Sequence, residues 1–259
     1  MVLPSWIFLT FYFTATYIWS QNVSIHKMIM CFTLTTSWYF WIIRILVGMA
    51  ILAPFLKKLS GRMTDKTLLV FCAMMFGATE MLAKLSSGYF YKITIMFIPY
   101  VAIYLLGMNV NKFSRRSILI ASIIFLWLYA VIAVILFVHT GSYVPTAKFK
   151  YPPRVYYVVY ALGASGLLWC FRQQISRFLN AIRIKDFALF VGSHTFWIYL
   201  WHIPFVDYMV NKYDSPTTFV TVYFTAIAIT YIQVTLVNKF CERINRPVLR
   251  KNLQMIFIG

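Results

Sequence analysis

Long apolar runs separated by short basic gaps make up nearly the whole chain. A membrane-crossing helix needs about 20 predominantly apolar residues. Eight stretches meet that need, at roughly residues 3–20, 38–56, 67–84, 89–107, 117–138, 155–171, 188–208 and 217–238. The pattern predicts an all-α, polytopic integral membrane protein of about eight transmembrane helices, forming one transmembrane domain over residues 1–259. The second run opens on Trp38, Tyr39, Phe40 and Trp41, whose amphipathic rings suit a membrane–water interface. The loop at about 139–154 contains Pro145, Pro152 and Pro153, which forbid a continuous helix there. That loop either covers a site facing outward or simply joins two spans.

Composition sharpens the class. Hydrophobic residues make up 61% of the chain and charged ones 12%, against about 45–50% and about 25% in soluble domains. No soluble core hides such an excess, so lipid is the expected solvent. The N-terminal MVLPSWIFL has no basic stretch and no small-residue cleavage site, so it reads as the start of a span and not as a signal peptide. The four cysteines, Cys31, Cys72, Cys170 and Cys241, have no CxxC spacing, which argues against a disulfide framework or zinc site; no metal is expected.

The net charge of +18 would suit nucleic acid if it were clustered on a soluble domain. Here the cations sit in the gaps between spans, so no nucleic-acid partner is expected and the bilayer is. The gaps after the even-numbered spans and the C-terminal tail hold most of the 24 basic residues, among them Lys57, Lys58, Arg62, Lys66, Lys112, Arg115, Arg116, Arg172, Arg177 and Arg183. Lys27, Lys84, Lys92, Lys148, Lys150, Arg154 and Lys212 fall on the other side. This bias predicts that both termini are cytoplasmic.

Ionisable groups inside spans are costly and are functional candidates by default. Arg44 and Glu80 both lie about 20 Å from the cytoplasmic face, at about 1.5 Å per residue, on consecutive antiparallel helices. They are expected to meet as a buried ion pair, lining a substrate cavity or clamping two helices; Glu80 can alternatively pair with Lys84 one turn on. The run GSHTFWIYLWHIPF at 192–205 gives the seventh span an unusual polar and aromatic set, with Ser193, His194, Trp197, Tyr199, Trp201 and His202. Tyr199 and His202 are three apart and share a helix face. A neutral imidazole there either takes a proton from a hydroxyl or serves as a hydrogen-bonding group between helices. His26 and His139 read as surface residues.

The same run resembles the I-Y-L-x-H-x-P signature near the end of the membrane-bound acyltransferase family 3, the O-acetyltransferases of bacterial surface polysaccharides such as lipopolysaccharide O-antigen. WYFWIIRILVGMAILAPFL, from Trp38 to Leu56, and KYPPRVYYVVYALGASGLLW, from Lys150 to Trp169, are similar to two further family stretches, in the same order. The resemblance implies about ten helices, acyl-CoA (acetyl-CoA) as donor and a carbohydrate hydroxyl as acceptor. It further implies a bacterial inner-membrane location and an enzyme transferring acyl groups other than aminoacyl groups. It places His202, Tyr199, Arg44, Glu80, Ser193 and Trp38 as candidate cavity residues. The family's catalytic basic residue and His lie on its first helix, and an arginine motif follows before its third. LPSWIFLTFYFTATYIW resembles that third helix, so the chain is expected to be N-terminally incomplete, lacking the first two helices and with them the catalytic His motif. A transporter or flippase for a lipid-linked sugar and an inactive truncated family member are the alternative expectations.

Overall fold

Lipid offers no hydrogen bonds, so a spanning backbone must satisfy its own polar groups, and the apolar runs do so as helices. The computed structural model describes residues 2–20, 24–35, 39–85, 89–210 and 212–258. Its helices are α1 (Val2–Ser20), α2 (Ile25–Phe32), α3 (Trp41–Gly61), α4 (Asp65–Leu85), α5 (Tyr89–Asn109), α6 (Arg115–Thr140), α7 (Val155–Cys170), α8 (Arg172–Ala181), α9 (Lys185–Ser193), α10 (Thr195–Met209), α11 (Ser215–Glu242) and α12 (Pro247–Phe257). No strand occurs among the described residues. The chain is an all-α polytopic membrane protein.

Each of the eight predicted runs is helical over most of its length, though not all of the helices are by themselves long and apolar enough to cross a membrane. Among the described residues five helices, α1, α4, α5, α6 and α11, are long and apolar enough, and α7 with α8, bent by 65° at their junction, makes up to six. The shortfall has local causes. Arg44, Lys57 and Lys58 crowd three cations into α3. The predicted span at 188–208 is two short helices, α9 and α10, with His194 at their junction. There Ser193 Oγ donates to the carbonyls of Leu189 and Phe190, His194 Nδ1 bonds the Phe190 carbonyl, and Thr195 Oγ1 donates to Val191 and Gly192. Three successive side chains bonding back onto the preceding turn compete with the helix ladder where it breaks.

The chain divides into two compact units, Gly48–Phe178 and the remainder, Met1–Val47 with Leu179–Gly259. In the central unit Leu56, Leu68, Cys72, Ala102 and Leu105 form the core between α3, α4 and α5. A buried polar clamp joins α3 to α5, with Ser60 Oγ donating to Asn109 Oδ1 at 2.9 Å while Asn109 Nδ2 donates to the Leu105 carbonyl at 2.8 Å. Helices α6 and α7 approach closely because Gly163 and Gly166 lie against Ser122. A Cβ on Gly166 would sit 2.1 Å from Ser122 Oγ, the small-residue packing that membrane helices favour.

The other unit is built on aromatic packing. Phe8, Leu9, Phe13, Cys31, Phe40, Ile43, Trp197, Leu200 and Ile203 form its core, and Ile198 packs on Ala226 and Ile227 where α10 meets α11. A polar relay secures α12: Trp201 Nε1 donates to Gln233 Oε1 at 2.7 Å, and Gln233 Nε2 donates to the Phe257 carbonyl at 2.6 Å. Phe257 also stacks on Trp197 with ring centroids 6.2 Å apart. At the start of α11 Asp214 accepts from the Thr217 N–H at 3.1 Å. Bonding by the Thr217 side chain and backbone holds the Asp214 carboxyl below its usual range. All four cysteines are buried free thiols.

Candidate active site

The chemistry-bearing residues of the aromatic unit gather along α10. Tyr199, one turn before His202, donates its hydroxyl to the Tyr39 carbonyl, and its own carbonyl meets His202 Nδ1. The imidazole is flanked by two phenol rings, Tyr199 at 4.8 Å and Tyr39 at 5.8 Å between centroids. With Nδ1 committed to a carbonyl, that nitrogen carries the proton and Nε2 keeps a lone pair. In the neutral ring His202 would thus have Nε2, and not Nδ1, free to accept a proton. Five residues on, Asp207 Oδ2 accepts from the Tyr12 hydroxyl of α1 at 2.7 Å, which ties α10 to α1 and adds a carboxylate to the same helix.

Tyr199 and His202 stand on the wall of a cavity of about 480 Å³ between α10 and α11, within the usual range of about 300–1,000 Å³ for small-molecule sites. Ile198, Val206, Phe219 and Val222 supply apolar walls, and Thr195 and Thr218 add hydroxyls. The Thr218 hydroxyl is buried and without a hydrogen-bond partner. The cavity is open and mostly apolar, and its unpaired Thr218 hydroxyl is left to be satisfied by a ligand.

The other predicted site residues fall elsewhere. Ser193 spends its hydroxyl on the Leu189 and Phe190 carbonyls and is not in the cavity wall. Trp38 lies outside the described residues. Glu80 and Arg44, expected to meet as an ion pair, each have partners within their own unit. Glu80 Oε2 accepts from Arg154 Nε at 2.9 Å and from its Nη2 at 2.8 Å, and Oε1 accepts the Val155 N–H at 2.7 Å. Both carboxylate oxygens are thus committed, and the Glu80–Lys84 alternative does not form either, since Arg154–Glu80 is the one ion pair among the described residues. Arg44 donates from Nη1 to the Leu34 and Thr35 carbonyls at 3.3 and 3.4 Å, holding the turn in which Leu34 adopts a positive φ of 56°. Its buried Nε has no partner.

Sequence reasoning passed over Asp207, Tyr12, Tyr39 and Thr218. Asp207 carried a readable signal: it is one of six acidic residues and falls inside the seventh predicted run, where an ionisable group is a functional candidate. Tyr12 and Thr218 carried none, because hydroxyls in apolar helices are common and only their neighbours distinguish them.

A family model described as an acyltransferase domain matches residues 1–237. No curated protein and no solved structure matches the chain.

Proposed function

The chain belongs to acyltransferase family 3 of integral membrane proteins, and on that premise we propose that it moves an acyl group, acetyl, from acyl-CoA to a hydroxyl of a cell-surface carbohydrate. In this reading the sugar hydroxyl oxygen attacks the thioester carbonyl carbon. A C–O bond forms, the C–S bond breaks, and the proton lost by the hydroxyl ends on the departing thiolate.

The observation that carries the reading is the state of His202. Its Nδ1 is held by the Tyr199 carbonyl and the residue lines the cavity, which leaves Nε2 as the ring nitrogen for a substrate hydroxyl. A hydroxyl donating to Nε2 is oriented and made more nucleophilic, and proton transfer of this kind contributes about 10²–10⁴-fold. Tyr39 and Tyr199 confine the ring, and confinement of the reacting pair lowers the entropic barrier. The basic gaps are the counterpart for the donor's phosphates. They also support an arrangement in a bacterial inner membrane with both termini in the cytoplasm.

The test is transfer of labelled acetyl from acetyl-CoA to surface polysaccharide in membranes from cells carrying the chromosomal wild type or His202→Ala. The variant is expected to lose about 10²-fold or more in rate while keeping its level in the membrane. Unchanged labelling removes His202 from the chemistry. Polysaccharide that crosses the membrane unlabelled in the wild type would turn the reading to transport.

A further inference from the structure

The second cavity belongs to the central unit and shares no residue with the cavity beside His202. It encloses about 370 Å³ and is lined by Arg115, Arg116 and Leu119 at the start of α6 and by Cys170 and Phe171 at the end of α7. The Arg115 guanidinium stands 6.0 Å from the centroid of the Phe171 ring. With the Gln174 amide turned to satisfy both its ends, Arg115 Nη2 also donates to the Gln174 oxygen at 2.8 Å. Next to it Arg172 lies 4.1 Å over the Trp169 ring and donates to the Trp169 carbonyl at 2.8 Å. These cations are held by rings and carbonyls. Since Arg154–Glu80 is the one ion pair among the described residues, neither Arg115 nor Arg116 spends its charge on a carboxylate.

An apolar stripe runs up α6 directly from this pocket. Arg116, Ile120, Ile123, Ile124 and Trp127 recur at the three- and four-residue spacing of one helix face, and the four apolar members are 50%, 56%, 49% and 64% exposed. From Arg116 to Trp127 the face is about 16 Å long, close to half of a hydrocarbon core about 30 Å thick. Two adjacent guanidiniums, Arg115 held by Phe171 and Gln174 and Arg116 beside it, at the foot of a one-leaflet apolar face match a molecule with a phosphate head and alkyl tails.

We propose that this pocket seats the phosphate headgroup of an anionic phospholipid, with its acyl chains along the exposed face of α6. Arginine's planar fork suits phosphate oxygens. The apolar floor of Leu119 and Phe171 and the stripe above it distinguish this seat from one for a soluble nucleotide, which would leave the stripe unused. The proposal takes Arg115 and Arg116 out of the basic gaps available to the acyl donor and leaves the rest of the acyl-transfer reading unchanged.

The experiment is native mass spectrometry of the full chain, extracted in mild detergent from nanodiscs of phosphatidylcholine doped with phosphatidylglycerol. The wild type is expected to retain phosphatidylglycerol about tenfold over phosphatidylcholine. Arg115→Gln with Arg116→Gln is expected to abolish that preference, whereas Lys57→Gln with Lys58→Gln, which removes equal charge from the end of α3, leaves it intact. Equal loss in the two double variants would overturn the proposal, because a diffuse basic belt would then account for the retention. Displacement of phosphatidylglycerol by coenzyme A at equal concentration would also overturn it, assigning the arginines to a soluble phosphate ligand. Matching helical circular dichroism of both variants guards against loss through misfolding.

Discussion

Removing Glu80 tests how the loop before α7 is held. The carboxylate takes two charge-assisted bonds from Arg154 and one from the Val155 N–H, so it is both half of an ion pair and the acceptor for the first turn of α7. The side chains of Arg154 and Glu80 are 31% and 25% exposed. That places the pair between surface bridges, worth about 0–1 kcal/mol, and buried ones, whose rupture costs about 3–5 kcal/mol. Glu80→Ala should therefore destabilise the protein by about 2–3 kcal/mol. Arg154→Ala should cost about 1 kcal/mol less, because the bond to the Val155 N–H, comparable to an N-cap, survives it. The double variant should fall short of the sum of the singles by about 1–2 kcal/mol. Unfolding in mixed micelles by added dodecyl sulfate, followed by helical circular dichroism, reads all three. Reversing the pair, Glu80→Arg with Arg154→Glu, should recover part of the loss, and Glu80→Arg with Arg44→Glu should recover none. Additive singles, or rescue through Arg44, would refute the assignment.

Two further outcomes follow from named contacts. Gly166→Ala drives a Cβ to 2.1 Å from Ser122 Oγ, which is itself bonded to the Ile118 carbonyl at 2.7 Å. The overpacking should cost about 1–3 kcal/mol in the same micelle assay, and adding Ser122→Ala should restore most of it; no restoration would mean the clash lies elsewhere. Tyr12→Phe deletes the donor to Asp207 Oδ2 and should lower the unfolding free energy by about 1.5 kcal/mol, whereas unchanged unfolding would show that this bond does not hold α1 to α10.

The helices were legible because lipid imposes a rule that composition reports directly: a run without polar interruption must satisfy its own backbone. The break within the 188–208 run lies where that rule says nothing. Gly192, Ser193, His194 and Thr195 count as one short polar patch in a hydropathy reading. In three dimensions three of those side chains bond to the carbonyls of the preceding turn, and the backbone divides at His194. The signal was present as residue type, since serine and threonine in a helix interior bond back onto it, and it was averaged away by counting hydrophobicity. His202 and Tyr199 were legible for the opposite reason. Their three-residue spacing fixes a shared face whatever the helix does elsewhere, and both stand on the cavity wall.

The pairing of Arg44 with Glu80 shows what depth along a helix can and cannot decide. Equal distance from one face puts two groups at one level but leaves the direction each points undetermined, and antiparallel neighbours at the same depth can face apart. The same arithmetic, carried further, points toward the observed partner. Glu80 lies about 20 Å from the basic face of a core about 30 Å thick, which leaves it about 10 Å from the opposite interface. Arginine reaches several ångströms along its own stem, so a cation at the foot of the loop on that side is nearer in depth than one at mid-span. Arg154 is that cation, 74 residues further along the chain and immediately before α7, where a carboxylate also satisfies an unpaired helix N–H. A guanidinium and a helix start offer Glu80 two partners at once; Arg44, already donating to the Leu34 and Thr35 carbonyls, offers at most one. An intramembrane carboxylate is thus best matched against the loop on its nearer side before it is matched against a charge in the neighbouring span.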